Sequence, residues 1–356
     1  MKILFLGDIQ HPNSKNWISA LEKYGKCEII TWSLPWPYGI WSKFKRISAW
    51  FLAFRSIRQI IKREAPDLVI GYRLTSYGFI AGYSKHPIIV TAAQGNSDVN
   101  GPLSNNFLGI FFKRKLALYA TRNSKLVHAW AENMAESIYG LGVPKNKVLV
   151  LHRGIDLANF TAPDTCFFER LELIVTRALY KEYRHDIILK ALKIIVAKHI
   201  PVKLKIIGIG VEENNIKKLI KELDLEAHVR LLGQLNNIQL NEELNKSNVY
   251  VSMPITEGLS SSLIEAMACK CVPVVSDLYA NRIWVKHNDN GFLVPVDDVV
   301  KLAEVFENIF TNKNSFTKIL ERNRKMVEEK CSQEVNTKIF VSHYSELINK
   351  EKSCVG

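Results

Sequence analysis

Residues 249–277 read VYVSMPITEGLSSSLIEAMACKCVPVVSD. Tyr250 to Met253 form a short β-prone run that Pro254 stops, Gly258 marks a turn, and three serines lead into an apolar helical stretch at 263–268. β-prone residues return at 272–275, so the segment is strand, loop, helix and strand. A helix start after a strand leaves backbone N–H groups unpaired and carries partial positive charge. The amides of Gly258, Leu259, Ser260, Ser261 and Ser262 can therefore hold a diphosphate. Glu257 lies on the strand side of that anion, and Glu265, eight residues on, lies within the helix. Ionised carboxylates only accept hydrogen bonds and sugar hydroxyls are good donors, so two carboxylates flanking a diphosphate suit the two sugars of a nucleotide-sugar. A plainer reading also fits: Ser262 and Glu265 make the capping box S-x-x-E, in which the glutamate only satisfies the helix start.

The text around the two glutamates closely resembles the E-x7-E signature of retaining glycosyltransferases of family 4. EG stands at Glu257 and Gly258, LIEAMA at 263–268 and PVVSD at 273–277, in that order. The resemblance continues upstream. Residues 204–210 read LKIIGIG, a buried strand ending in a glycine turn, followed by a charged helix over about 211–223. A strand at 229–232, then Gly233 and Gln234, and a polar helix near 238–247 come next; the resemblance implies that the Gly233 turn lies beside the base. Arg177 stands in the place of an arginine that in relatives meets the donor diphosphate. Its companion there is a lysine five residues later, whereas here Lys181 is four residues on and Arg184 seven. A buried diphosphate needs cationic donors, so one of these two serves, with Arg184 favoured. A solvated charge cluster at a helix start is the plainer alternative for all three.

With 356 residues, 47% of them apolar, the chain is long enough for two domains with their own cores. Strands alternate with helices in both halves, the pattern of a doubly wound, mostly parallel sheet occurring twice. Residues 148–163, VLVLHRGIDLANFTAP, hold the last strand of the first set, and Gly154, Ile155, Asp156 and Phe160 resemble the G-[IV]-D-x3-F ending of the family's first domain. The resemblance implies the GT-B fold: α/β, two doubly wound Rossmann-like domains facing a central cleft. Residues 1–165 form the acceptor-side domain, 166–331 the nucleotide-sugar donor domain, and 332–356 a helix crossing back to the first. Ligands are expected at the carboxyl ends of the strands.

Asp8 and His11, in the first turn, are the acceptor-side candidates, although both also read as ordinary turn residues. Residues 93–98, AQGNSD, resemble a G-x-D segment that borders the donor sugar in relatives; Gln94 stands near a position often held by histidine, with Asp98 beyond it, so no general base is evident. Family members retain anomeric configuration, and a front-face mechanism lets the leaving diphosphate take the acceptor's proton. Arg177, a second cation and the helix amides then stabilise the diphosphate, Glu257 orients the transferred sugar and Glu265 holds the ribose. The chain has no D-x-D, so a metal-independent reaction without a cofactor is expected. Lys270 stands where relatives usually have glycine; a left-handed backbone there costs on the order of 1 kcal/mol.

Charge is uneven. Residues 1–165 hold 21 Lys and Arg against 10 Asp and Glu, and the remainder 27 against 25. The excess lies in two stretches with interleaved aromatics. Residues 40–64 place Trp41, Phe44, Ile47, Phe51 and Phe54 near helical spacing among seven basic residues, and 107–125 has the same character. Such helices either pack their aromatics inward or lie at an anionic membrane surface. Nucleic acid is not an expected partner, since no helix-turn-helix, zinc finger, RNP-like strand or basic tail is visible. Six cysteines without metal spacing, Cys269 and Cys271 reading as small buried residues, point to a reduced protein. MKILFLGD reads at once as strand and turn rather than signal, and no apolar run reaches the roughly 18–20 residues that span a bilayer.

These readings converge on a retaining glycosyltransferase that moves a sugar from a UDP- or GDP-type donor to a glycan or lipid-linked acceptor, cytoplasmic and peripheral on the membrane. A nucleotide-sugar epimerase on the same fold, or a non-catalytic basic protein binding membrane or nucleic acid, are the alternatives.

Overall fold

The computed structural model describes residues 1–34, 42–93, 107–162, 169–258, 260–312 and 316–355. It forms two compact units, one of Met1–Gly154 with Gln333–Gly356 and the other of Ile155–Ser332. The division thus falls after Gly154 rather than at 165. Ile155 bridges to Ser332, and Ile155 and Phe160 are buried in the second unit's core, which draws the G-I-D segment away from the strand before it.

The first unit carries six parallel strands: β1 (Lys2–Leu6), β2 (Glu28–Trp32), β3 (Leu68–Tyr72), β4 (Ile89–Ala92), β5 (Leu126–Ala129) and β6 (Val148–Val150), in the order β2-β1-β3-β4-β5-β6. Ile3, Leu4, Phe5 and Leu6 are all fully buried, as a parallel sheet covered on both faces requires. The helices are α1 (Pro12–Lys23), α2 (Ser42–Glu64), α3 (Phe79–Tyr83), α4 (Phe107–Asn123) and α5 (Glu132–Tyr139). α1 starts earlier than its apolar pattern suggests, because Pro12 fits the first turn and the His11 side chain caps it.

The second unit has β7 (Leu171–Thr176), β8 (Val202–Ile207), β9 (Val229–Gly233), β10 (Val249–Ser252), β11 (Val272–Ser276) and β12 (Phe292–Val294), ordered β12-β11-β10-β7-β8-β9 and again parallel. Its helices are α6 (His185–Ala197), α7 (Glu213–Glu222), α8 (Asn237–Asn245), α9 (Ser261–Ala268), α10 (Tyr279–Arg282), α11 (Val299–Thr311) and α12 (Thr317–Cys331). One apolar cluster joins α6, α7 and α11 to the sheet, and a second joins α8, α9 and α12 to its other face. β7 and β10 are central neighbours, so the loops leaving them, at 177–184 and 253–260, lie side by side.

The last helix, α13 (Gln333–Val355), belongs to the first unit. Its Tyr344 hydroxyl lies 2.7 Å from His128 Nε2 at the end of β5, and burial pushes His128 down to about 3, which keeps the imidazole neutral in this apolar setting. Cys269 and Cys271 are reduced thiols buried between α9 and β11, the packing role expected of them.

Lys270, where relatives usually have glycine, has φ of 60°, so the condition for the left-handed cost is met. Its ammonium pairs with Glu321 at 2.6 Å, but that carboxylate is largely exposed and the pair offsets little. Lys270→Gly is expected to raise unfolding free energy by about 1 kcal/mol. Urea titration checks this; a loss of stability would mean that the ion pair outweighs the backbone strain.

Candidate active site

The loop after β7 carries Arg177, and the loop after β10 carries Glu257. Arg177 Nη2 donates to Glu257 Oε2, and Nη1 donates to Ser260 Oγ at 3.2 Å. The guanidinium also lies 4.4 Å from the centre of the Tyr183 ring. Both charged side chains are nearly sealed, Arg177 at 10% exposure and Glu257 at 9%. Burial opposes the Arg177 charge, but Tyr250, Glu257 and Tyr183 together outweigh it and raise its pKa. Arg177 is therefore a fixed cation at the carboxyl end of the central strands.

Two glycines make this placement possible. Gly208 and Gly210 follow β8, and a Cβ at either would strike the carbonyl oxygen of Arg177 or of Leu179. With no side chain there, Leu179 N donates to Ile209 O at 3.0 Å and Glu212 N to Leu179 O at 2.9 Å, strapping the Arg177 loop to the glycine turn. Gly233, with φ of 67°, ends β9 and accepts a bond from Gly208 N at 2.8 Å; Gln234 beyond it is exposed. The G-x-G and Gly233 turns thus converge behind Arg177.

The start of α9 decides between the two readings of Glu265. The N-cap is Ser260, whose Oγ accepts from Leu263 N at 3.3 Å, and Ser262 is already inside the helix, its hydroxyl donating to Thr176 O at 2.9 Å. Glu265 therefore does not close a capping box. No hydrogen bond or ion pair from a described residue reaches its carboxylate. Burial, opposed by Arg177, pushes it up to about 7, although the residue keeps some surface. A half-buried carboxylate without a donor is suited to receive hydroxyl donors from a ligand. Gly258 N donates to Glu257 Oε1 at 3.2 Å, Ser261 opens the helix, and Leu259 lies outside the described residues.

Arg184, the favoured second cation, is tied to two carboxylates. It stands at the start of α6 with φ of 50°, and its guanidinium forks onto Asp186 at 2.9 and 3.2 Å and also onto Asp297. These hydrogen bonds raise its pKa and engage three of its five N–H donors. Lys181 is exposed, and no described residue pairs with its ammonium, so it is the cation left available. Both line a cavity of about 620 Å³ with Tyr180, His185, Asn215 and Ile255.

In the first unit, Asp8 is exposed and its Oδ1 accepts from Gln10 N at 3.0 Å, while His11 Nδ1 accepts from Asn13 N at 3.2 Å. Both fit the turn reading made for them. Gln94 and Asp98 lie outside the described residues. Two residues that the geometry brings into play, Tyr250 beside Arg177 and Arg153 in the first unit, carry no motif that would have singled them out.

Residues 169–328 match the family described as Glycosyl transferases group 1. That stretch is a little under half of the chain. A Haemophilus influenzae protein described as a glycosyltransferase without characterised function is 30% identical over 151 residues, covering 40% of this chain and 40% of that protein. A Campylobacter jejuni transferase named as adding N-acetylgalactosamine to a diphospho-undecaprenol-linked sugar is 28% identical over 200 residues, covering 55% and 53%. The chain thus spans about half or less of these two relatives. A solved Anabaena structure in complex with UDP aligns with a TM-score of 0.75 and 14% identity over 97% of this chain and 100% of that one. The two six-stranded parallel units are those of the GT-B fold, and the matches together support a transferase.

The state of Glu265 has a measurable consequence. Between the ordinary carboxylate range and pH 7 the folded chain holds a proton there that the unfolded chain has released, so stability falls as pH rises through that window and levels off above it. Glu265→Gln has no proton to lose. Relative to wild type it is expected to gain roughly 1–3 kcal/mol between about pH 5 and about pH 8 in urea unfolding; an unchanged difference would place the carboxylate in water.

Proposed function

We propose that the chain transfers a sugar from a UDP- or GDP-type nucleotide-sugar to a glycan or lipid-linked acceptor, with retention of anomeric configuration and without a metal ion. The observation that carries this reading is the buried Arg177, fixed by Glu257 and Ser260, beside Glu265, whose carboxylate meets no described donor. Departure of a nucleoside diphosphate develops negative charge, and a preorganised guanidinium in a site of low dielectric stabilises it without reorganisation. Arg177, Lys181 and the amides at the start of α9 supply that stabilisation. The leaving diphosphate oxygen takes the acceptor hydroxyl's proton, so the chemistry needs no separate base. Glu257 orients the transferred sugar and Glu265 receives the ribose hydroxyls, with Gly233 and Gln234 beside the base. The UDP in the Anabaena structure and the lipid-linked substrate in the Campylobacter relative's name agree with this donor and acceptor class.

A panel of UDP-, GDP-, ADP- and dTDP-sugars in the presence of EDTA tests it, read as thermal stabilisation of wild type and Glu265→Ala. One nucleotide series is expected to stabilise the wild type and to do so much less in the variant. Equal shifts in both proteins, or none, would remove Glu265 from the donor site.

The same reading places the enzyme peripherally on the cytoplasmic face of a membrane, and the surface of α4 supports it. Phe111 and Phe112 are 48% and 62% exposed, with Arg114 and Lys115 following them and the Lys115 ammonium 5.3 Å from the Phe111 ring centre. On α2, by contrast, Phe54 packs on Phe79 and Tyr83, Trp41 lies outside the described residues, and the side chains of Phe44, Ile47 and Phe51 are likewise not described. Among the described residues no helix is long and apolar enough to cross a membrane. Exposed aromatics beside cations suit insertion at an anionic interface, where each basic residue adds roughly 1 kcal/mol. Phe111→Ser with Phe112→Ser is expected to lower sedimentation with phosphatidylglycerol vesicles severalfold without lowering thermal stability; unchanged sedimentation would discard α4 as the docking face.

A further inference from the structure

Arg153 lies just beyond β6 in the first unit. Its Nη1 donates to the backbone oxygen of Asn13, in the first turn of α1, and to the Tyr72 hydroxyl at the end of β3, both at 3.2 Å. The guanidinium sits 5.1 Å from the centre of the Trp130 ring, just past β5. It therefore reaches across the carboxyl ends of the sheet, where ligands of doubly wound folds bind.

All of these partners are neutral. Arg177, Arg184, Arg282 and Arg322 each meet a carboxylate, whereas no described Asp or Glu pairs with Arg153. Its remaining guanidinium N–H groups have no described partner, and the residue is only half-buried. Burial lowers its pKa, opposed by Tyr72, so the packing around it disfavours the charge that it carries. A partly buried cation held by neutral groups is costly unless an anion arrives.

The surroundings favour the same ligand. α1 is twelve residues long and begins beside Arg153, adding the partial positive charge of its first turn. Burial lowers the pKa of neighbouring His11, Asp8 opposes it, and Arg153 and Arg73 add to the lowering. Asp8 is the one carboxylate acting on His11, and its Oδ1 is turned to Gln10 N.

We propose that Arg153, with the start of α1, binds the phosphate of a phosphorylated acceptor. The assignment rests on the transferase reading and deepens it by naming the chemical class of the acceptor: a sugar carried on a phosphate or diphosphate rather than a neutral glycan. The guanidinium forks onto two phosphate oxygens, and the acceptor's sugar hydroxyl is oriented by that anchor.

The test has two arms on the full-length chain. In the first, inorganic pyrophosphate is titrated against Arg177→Gln, which disables the donor cation, and against Arg177→Gln with Arg153→Gln, with thermal stability as the readout. The single variant is expected to be stabilised by pyrophosphate and the double variant not, while Arg153→Gln alone melts no lower than wild type. This arm needs no turnover, so it stands even if no sugar transfer is found. In the second, Arg153→Gln is expected to raise KM for a lipid diphosphate-linked sugar by about tenfold or more, with donor KM unchanged, Arg153→Lys recovering part of the loss and a phosphate-free glycoside unaffected. Equal pyrophosphate shifts in the single and double variants would overturn the proposal, as would a raised donor KM, which would assign the anion to the donor. A lower melting temperature for Arg153→Gln with an unchanged acceptor KM would make Arg153 a structural tie and overturn it as well.

Discussion

A guanidinium taken out of water needs an anion beside it, and Arg177 has Glu257. Removing one partner of such a buried pair typically costs about 3–5 kcal/mol, because the other charge is left stranded. Much of the second unit is arranged to keep the two together. β7 and β10 are adjacent, which brings their loops into reach. Ser262 ties the first turn of α9 to Thr176, and Ser260 serves both as the helix cap and as a second acceptor for Arg177. Gly208 and Gly210 are small because the backbone carrying Arg177 passes directly over them.

The same constraint explains what the pair can do. Glu257 neutralises Arg177 in the absence of ligand, so the cation is held in place rather than collapsing onto a chance partner. On the proposed function, a diphosphate entering beside it meets donors that are already oriented, and the cost of orienting them has been met during folding. Glu265 is the complementary case. Its carboxylate is partly desolvated, lacks a donor and is pushed up to about 7, a destabilised arrangement that a hydroxyl-bearing ligand relieves. In the first unit Arg153 is the mirror image, a cation that meets no described carboxylate, in the half of the chain that also carries the basic excess.

Much of this was legible in the sequence, for physical reasons that can be named. The strand–loop–helix–strand reading of 249–277 succeeded because Pro254 and Gly258 punctuate it and the helix is apolar on its buried face. The left-handed Lys270 was legible because a helix must end before a strand that begins two residues later. Long-range pairing was not legible. The pairing of Arg184 with Asp297, remote in sequence, is made by the fold, whereas Lys181 meets no described carboxylate. The capping box on Ser262 failed because local pattern cannot tell which of three successive serines caps the helix; the tie of Ser262 to Thr176 decided it. Arg153 gave no signal because its neutral partners, Asn13 in the first turn of α1 and Tyr72 at the end of β3, are remote in sequence.

The most direct test of the Arg177 site is phosphorus NMR of the bound nucleoside diphosphate, comparing wild type with Arg177→Gln under saturating ligand. Both diphosphate resonances are expected to shift in the wild-type complex, with the displacement largely lost in the variant even at concentrations that restore full occupancy. Identical resonances in the two complexes would mean that Arg177 does not meet the diphosphate, and the donor site would have to be sought elsewhere on the unit.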